Sequence, residues 1–365
     1  MKRFLRSTAV SALGLALLCA PAPAEAPGLG EAERAAILAH GPWPPAPERD
    51  GSNRVSGNVD AIKLGFRLFF ESRLSRGAEF SCATCHRPEQ AFAETRAVSE
   101  GRVPLRRNAP GLNNVRLKRW LGWDGGSDSL WAASIRPFLE ANEFDAGPEH
   151  VAALFAADEA HRADFEAAFG DDPKARAGDA VLANVGKALA AFQETLISPP
   201  SAFDAFREGL AAGDAAAVAA YPVEARRGAA LFVGSAGCAA CHAGPTFSNG
   251  GFAAIGVPPA EGAAPDAGRA EGIAHVKGQR FSRAGPFNDD PGDPRAGEAA
   301  ALVASDADSG AFAIPALRGA SQTAPFFHNG SAATLAGAVR GHRPADAPRL
   351  DEQDVADLVA FLETL

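Results

Sequence analysis

Cys82-Ala83-Thr84-Cys85-His86 and Cys238-Ala239-Ala240-Cys241-His242 decide how this chain is read. Each is a Cys-x-x-Cys-His unit, the signature of c-type haem attachment. The two thiols add across the haem vinyl groups, and the adjacent histidine turns inward as the proximal iron ligand. A zinc knuckle, a redox Cys-x-x-Cys or a pair of disulfides would use cysteines too. The two units account for four of the five cysteines. Their recurrence in a chain that opens with an export signal favours two haems.

The fifth cysteine, Cys19, lies in that signal. Lys2, Arg3 and Arg6 form its charged start, and Ala9 to Ala20 its apolar run. Ala22-Pro23-Ala24 offers a small-x-small cleavage site. A lipobox at Cys19 is the weaker reading, because Leu18 stands where a small residue is wanted. Residues 1–24 therefore read as a cleaved signal peptide. The mature protein is expected in the periplasm, since c-type haem is attached outside the cytoplasm. No other stretch is long enough to span a bilayer.

The chain has 365 residues, enough for two domains. At 47% hydrophobic and 22% charged it is a globular composition. A formal charge of −9 argues against nucleic acid as a partner. Met1 is the only methionine and Tyr221 the only tyrosine, beside 23 phenylalanines. Neither mature haem can then take a methionine ligand.

Periodicity predicts a mainly helical protein with little β-structure. Val59 to Phe70 reads as a helix leading to the first haem motif. Val181 to Leu196 reads as an amphipathic helix through Val185, Leu189 and Phe192, stopped by Ser198-Pro199-Pro200. The domain boundary is placed there, giving a haem domain over 25–197 and a second over 198–365. The second half opens with an alanine-rich helix, then a helix from Glu224 to Phe232 before the second motif. Residues 256–310 read as long loops rich in Gly, Pro and Asp. Asp351 caps a closing helix with Val355, Leu358, Val359 and Leu362 on its face. Both halves thus follow one plan of helix, haem motif, loops and closing helix, as in a duplicated cytochrome-like domain.

Further blocks stand between and after the motifs: Arg107-Asn108-Ala109-Pro110, Trp123-Asp124-Gly125, Ile314-Pro315-Ala316-Leu317-Arg318, and Thr323-Ala324-Pro325-Phe326-Phe327-His328-Asn329-Gly330. In this order they resemble the bacterial dihaem cytochrome c peroxidase family, which includes MauG. The resemblance runs from about Val59 to the C-terminus. It implies an oxidoreductase that uses hydrogen peroxide at the N-terminal haem, ligated by His86, with electrons relayed through the C-terminal haem, ligated by His242. Some relatives place a distal histidine near the position of Glu100. No histidine lies between His86 and His150 here, so an open sixth position is expected on the first haem.

By the same resemblance, Glu143, twenty residues after Trp123, matches the acid of the peroxide pocket, with Glu140 as a rival. A buried carboxylate with a raised pKa can take a proton from one peroxide oxygen and deliver it to the other. Pro137 matches a second pocket residue. Trp123 matches the tryptophan between the haems, and Trp120 and Trp131 read as structural. Asn108, Thr323 and Pro325 match an interhaem calcium site, where an amide oxygen and backbone carbonyls suit a hard cation.

The second haem departs from the family pattern. Its sixth ligand in many members is a methionine fourteen residues after the histidine of the Phe-His-x-Gly block, and in MauG a tyrosine. Here that position is His342, so His242 and His342 are the expected axial pair, with His275 the weaker candidate. His328 is expected to stay structural or to lie near the second haem without ligating it. His40, His150 and His161 read as surface residues. A second imidazole lowers a haem potential relative to methionine. The donor would be a small c-type cytochrome or a copper protein. The runner-up is oxidation of a protein side chain in the manner of MauG, although Ala236 stands where MauG has its surface hopping tryptophan. A dihaem electron carrier without peroxide chemistry is the alternative from another class. The resemblance is also consistent with a homodimer.

Overall fold

The computed structural model describes residues 28–259, 262–341 and 349–365. The signal peptide and His342 lie outside the described residues. The first half contains α1 (Glu31–Leu38), α2 (Val59–Phe69), α3 (Cys82–Cys85), α4 (Leu130–Leu139), α5 (Gly147–Ala157), α6 (Glu159–Phe169) and α7 (Gly178–Gln193). The second contains α8 (Ala202–Ala212), α9 (Ala215–Ala220), α10 (Val223–Val233), α11 (Arg269–Gly278), α12 (Glu298–Ala301), α13 (Leu335–Gly341) and α14 (Glu352–Leu362). Among the described residues the one sheet is an antiparallel pair, β1 (Phe252–Ala253) and β2 (Phe312–Ala313). The mainly α expectation holds.

Each half is organised by one helix crossing. The helix before the haem motif packs on the closing helix of the same half: α2 on α7, and α10 on α14. Asn58 caps α2, its side chain accepting from the Asp60 and Ala61 amides, and Asp351 caps α14. A glycine lets each pair approach closely. A Cβ at Gly65 would lie 2.0 Å from the Ala188 carbonyl oxygen, and one at Gly228 would lie 1.9 Å from that of Asp357. Around the first crossing, Leu64, Leu68, Phe69, Leu189 and Phe192 join a cluster that also takes Phe281 and Phe287 from the second half. Around the second, Phe232, Leu358 and Phe361 join a cluster that takes Ile37 of α1. Each fully buried Leu or Phe contributes about 1.5–3 kcal/mol of hydrophobic stabilisation.

Two expectations change. The α7 helix is not amphipathic: every residue from Val181 to Gln193 is buried. Its alanines fill the spaces between α2, α4 and α5, and its one lysine, Lys187, is paired 2.6 Å from Asp289. The 256–310 stretch is not all loop, because α11 and α12 lie within it. Gly268, Gly272 and Gly278 at and within α11 hide its periodicity, and Gly272 is needed where α11 meets the Asp124 carbonyl.

A buried ion network joins the halves. Arg107 donates to Asp124 at 2.6 Å, to Asp266 at 2.7 Å and to Glu271 at 2.9 Å. Arg136 also reaches the wholly buried Asp124. Burial alone would raise the Asp124 carboxyl, but Arg136 and Arg107 outweigh it and hold it at about 2. Its stabilisation is therefore present above the ordinary carboxyl value and lost as pH falls towards 2.

Gly65→Ala and Gly228→Ala should each destabilise by at least about 1–3 kcal/mol through overpacking, seen as a lower Tm. An unchanged Tm would mean that the crossings relax freely. Asp124→Asn should destabilise by about 1–3 kcal/mol by taking the buried charge from Arg107 and Arg136, which keep only their outer carboxylates, and should flatten the acid limb of a stability–pH curve. A variant that keeps the parent acid limb would remove Asp124 from that role.

Candidate dihaem site

Both haem motifs form a single helical turn. Ser81 and Thr84 cap α3 reciprocally, with the Ser81 amide donating to Thr84 Oγ1 at 3.0 Å. The His86 amide then donates to the Cys82 carbonyl at 2.9 Å. In the second motif, a 3-10 turn over Cys238–Ala240 ends with the His242 amide on the Cys238 carbonyl, again at 2.9 Å. One turn thus gathers two thiols and an imidazole in each half. None of the four cysteines is in a disulfide.

The imidazoles are oriented by backbone carbonyls. His86 Nδ1 lies 3.2 Å from the Phe92 carbonyl oxygen, and His242 Nδ1 lies 3.0 Å from that of Phe247. Nδ1–H donation fixes the tautomer whose Nε2 carries the lone pair that a metal takes. Phe92 and Phe247 both have left-handed backbone, with φ of 58° and 56°, and this turn points their carbonyls back at the histidines. The paired thiols, the imidazole and the fixed tautomer form a donor set that fits a covalently attached haem in each half. Nothing in the periodicity marks the two phenylalanines, although each follows its histidine by five or six residues.

The second loop is held from outside. Arg318 donates to the Pro245 carbonyl at 2.5 Å and pairs with Asp204 through two contacts of 2.8 Å. Trp43 stacks on this guanidinium at 3.9 Å. His40, expected at the surface, is buried at 3% exposure. It stacks on Phe247 at 4.6 Å and hydrogen-bonds the His242 carbonyl through Nε2 at 3.1 Å. A lone histidine in a Pro-rich segment gives no sign of a contact made across the chain. Tyr221 is also structural, stacked on Phe206 at 4.2 Å.

Glu143 follows α4 in a turn set by Pro137, whose carbonyl accepts from the Phe144 amide at 2.9 Å. Its carboxylate has no hydrogen-bond partner among the described residues. Burial raises its pKa, opposed by Arg136 and helped by Glu140. Burial likewise pushes the Cys82 thiol up to about 12 and the Cys85 thiol up to about 11, and the Glu143 charge adds to both. The Phe144 carbonyl accepts from the Arg76 amide at 2.9 Å, so the Glu143 turn lies against the segment that leads into the first haem motif. The rival Glu140 is part-exposed, as Glu143 is, but pairs with Arg136 at 3.8 Å.

Trp123 joins the halves. Its Nε1 donates to the Asn108 carbonyl at 2.8 Å, and its own carbonyl accepts from Ala313 of β2 at 2.8 Å. The Asn108 amide donates to the His328 carbonyl at 2.7 Å, and its side-chain nitrogen to the Arg96 carbonyl at 2.8 Å. Thr323 packs near Gly111, so the Asn108 and Thr323–Pro325 loops run side by side. His328 is buried and stacked on Phe312 at 3.6 Å. Burial lowers its pKa to about 4. Trp131 is fully buried, with Nε1 on Ser52 Oγ at 3.0 Å, in keeping with its structural reading. His275 lies in α11, with a ring carbon 3.3 Å from where a Gly126 Cβ would stand.

Residues 59–212 match the family model for di-haem cytochrome c peroxidase. The chain is 32% identical to methylamine utilization protein MauG of Methylorubrum extorquens, over 84% of this chain and 78% of that protein. It is 30% identical to cytochrome c551 peroxidase of Nitrosomonas europaea, over 84% and 80%. Among solved structures it resembles a MauG-like protein associated with microbial copper homeostasis, with TM-score 0.66 and 27% identity, covering 89% of this chain and 94% of that one. The diheme peroxidase BthA of Burkholderia thailandensis shares the fold, with TM-score 0.66 at 22% identity, over 87% and 89%. The chain belongs to the dihaem cytochrome c peroxidase and MauG family, and is an oxidoreductase of the dihaem c-type peroxidase class.

Proposed function

We propose that this protein reduces hydrogen peroxide to two waters at its N-terminal haem, drawing two electrons through its C-terminal haem. The observation that carries the reading is the part-buried Glu143 carboxylate, without a hydrogen-bond partner among the described residues, on the turn packed against the segment before the Cys82–Cys85 motif. The haem supplies, when bound, the iron that engages peroxide and takes up the electrons. The protein supplies the proton path. Glu143 accepts a proton from one peroxide oxygen and delivers it to the other, which leaves as water when the O–O bond breaks. A carboxyl held above its ordinary range by burial suits both duties. Pro137 fixes the turn that aims it. Trp123, hydrogen-bonded to one half through its indole and to the other through its carbonyl, is the relay between the haems.

Three further assignments belong to this reading. His242 and His342 form the axial pair of the second haem, supported by the count from His328 and the lack of methionine in the mature chain. Calcium sits between the halves on Asn108, Thr323 and Pro325. This is supported by an asparagine whose nitrogen is committed to Arg96 while its oxygen stays available. The enzyme works in the periplasm with a small c-type cytochrome or copper-protein donor. Among the described residues no helix is long and apolar enough to cross a membrane. Peroxide-driven oxidation of a protein side chain is the second reading, favoured by the missing methionine and weakened by Ala236.

Glu143→Gln should slow the reaction with peroxide by about 10²–10⁴-fold while both haems stay attached. A raised carboxyl pKa costs stability once pH exceeds it, so this variant should keep or raise the Tm at pH 7. An unchanged rate would remove Glu143 from the mechanism. His342→Gly should convert the second haem from low-spin to high-spin in low-temperature EPR, and a spectrum that stays low-spin would overturn that ligand.

A further inference from the structure

Between the halves lies a cavity of about 450 Å³, walled by Pro110, Lys118, Trp120 and Trp123 on one side and by Thr246, Ser248 and Arg269 among others on the opposite side. Its charged lining residues are Lys118, Arg119 and Arg269, and no aspartate or glutamate faces it among the described residues. This is unusual in a chain of net charge −9. Arg119 is paired with Glu298 at 2.8 Å. Arg269 is buried at 3% exposure between the rings of Trp120 and Phe252, at 4.9 and 4.1 Å. It donates to the Asp124 and Gly125 carbonyls and has no carboxylate partner among the described residues.

Lys118 stands in the wall shared with an outer cavity of about 430 Å³ that also holds Glu48 and Glu298. It pairs with neither, and Glu298 is taken by Arg119 and Arg295. Burial pulls the Lys118 ammonium below the usual lysine range. The backbone of Pro110, which hydrogen-bonds His86, lines the same cavity as Lys118. Pro110 borders the cavity on the His86 side, and Thr246 precedes the Phe247 that holds His242.

We propose that this cavity seats haem carboxylates, with Lys118 as the charge partner of the N-terminal haem and Arg269 as a second cation. Arg269 is buried and Lys118 part-buried; cations so placed are retained when an opposite charge meets them, and each c-type haem brings two carboxylates of its own. Lys118 is a positioning residue that acts on the haem through its charge. The inference rests on the dihaem reading.

The test uses the holoprotein. Haem is first counted per chain, and fewer than two in the parent would overturn the dihaem reading itself. Midpoint potentials are then measured by spectroelectrochemical titration of the parent, Lys118→Gln and Lys118→Arg. Removing a nearby positive charge disfavours the reduced state, so Lys118→Gln should lower the first haem's potential and Lys118→Arg should keep the parent value. A Lys118→Gln protein with two haems and an unmoved potential would overturn the proposal. So would loss of haem from both variants, which would mean that the shape of Lys118 matters and its charge does not. A parent potential that moves with added acetate at constant ionic strength would assign the cavity to a free carboxylate, and would overturn it too.

Discussion

An imidazole can ligate iron from one fixed direction only if its other nitrogen is committed elsewhere. In this protein that commitment is made twice, to the backbone carbonyls of Phe92 and Phe247. Both carbonyls are turned inward by left-handed residues that are not glycine, a conformation that persists only when the surroundings impose it. The surroundings are therefore part of the ligand geometry. Phe92 rests edge-on against Phe69 and Phe192 at the α2–α7 crossing. Phe247 is packed by Phe203, Phe232 and Phe361 near the α10–α14 crossing. Helix packing, loop conformation and metal ligation form one chain of dependence in each half.

The halves repeat this logic with different supports. The first motif is capped by Ser81 and Thr84. The second leans on Arg318, which ties its loop to Asp204 and is covered by Trp43. Between them, hydrogen bonds through Trp123 and Asn108 and the ion network on Arg107 connect the two halves. These contacts fix the separation of the halves with groups that are largely removed from solvent, as the proposed electron relay requires.

The haem motifs, the repeated plan and the closing helix were legible in the sequence, because residue spacing and helical periodicity are local signals. Glu143 was legible only through resemblance. Its desolvation depends on how the turn after Pro137 folds against the segment before the first motif, which no spacing reveals. The carbonyl anchors were invisible, because backbone oxygens carry no residue identity. His40 was misread because its partners lie far along the chain. The all-round burial of α7 was misread because alanine counts weakly in an apolar stripe, yet packs as tightly as leucine where helices approach. The α11 helix was missed because its glycines, suited to close packing on Asp124, resemble loop composition.

The α1 helix has a consequence for the order of assembly. It is the first described element of the chain, yet its Ile37 belongs to the second hydrophobic cluster, and His40 bridges to His242 across a separation of 202 residues. On a chain emerging from its N-terminus, this segment has no home until α14 has been made. Its apolar face must wait in the open, as surface that chaperones hold and aggregation exploits. The second motif is thus backed by the first described helix and the last.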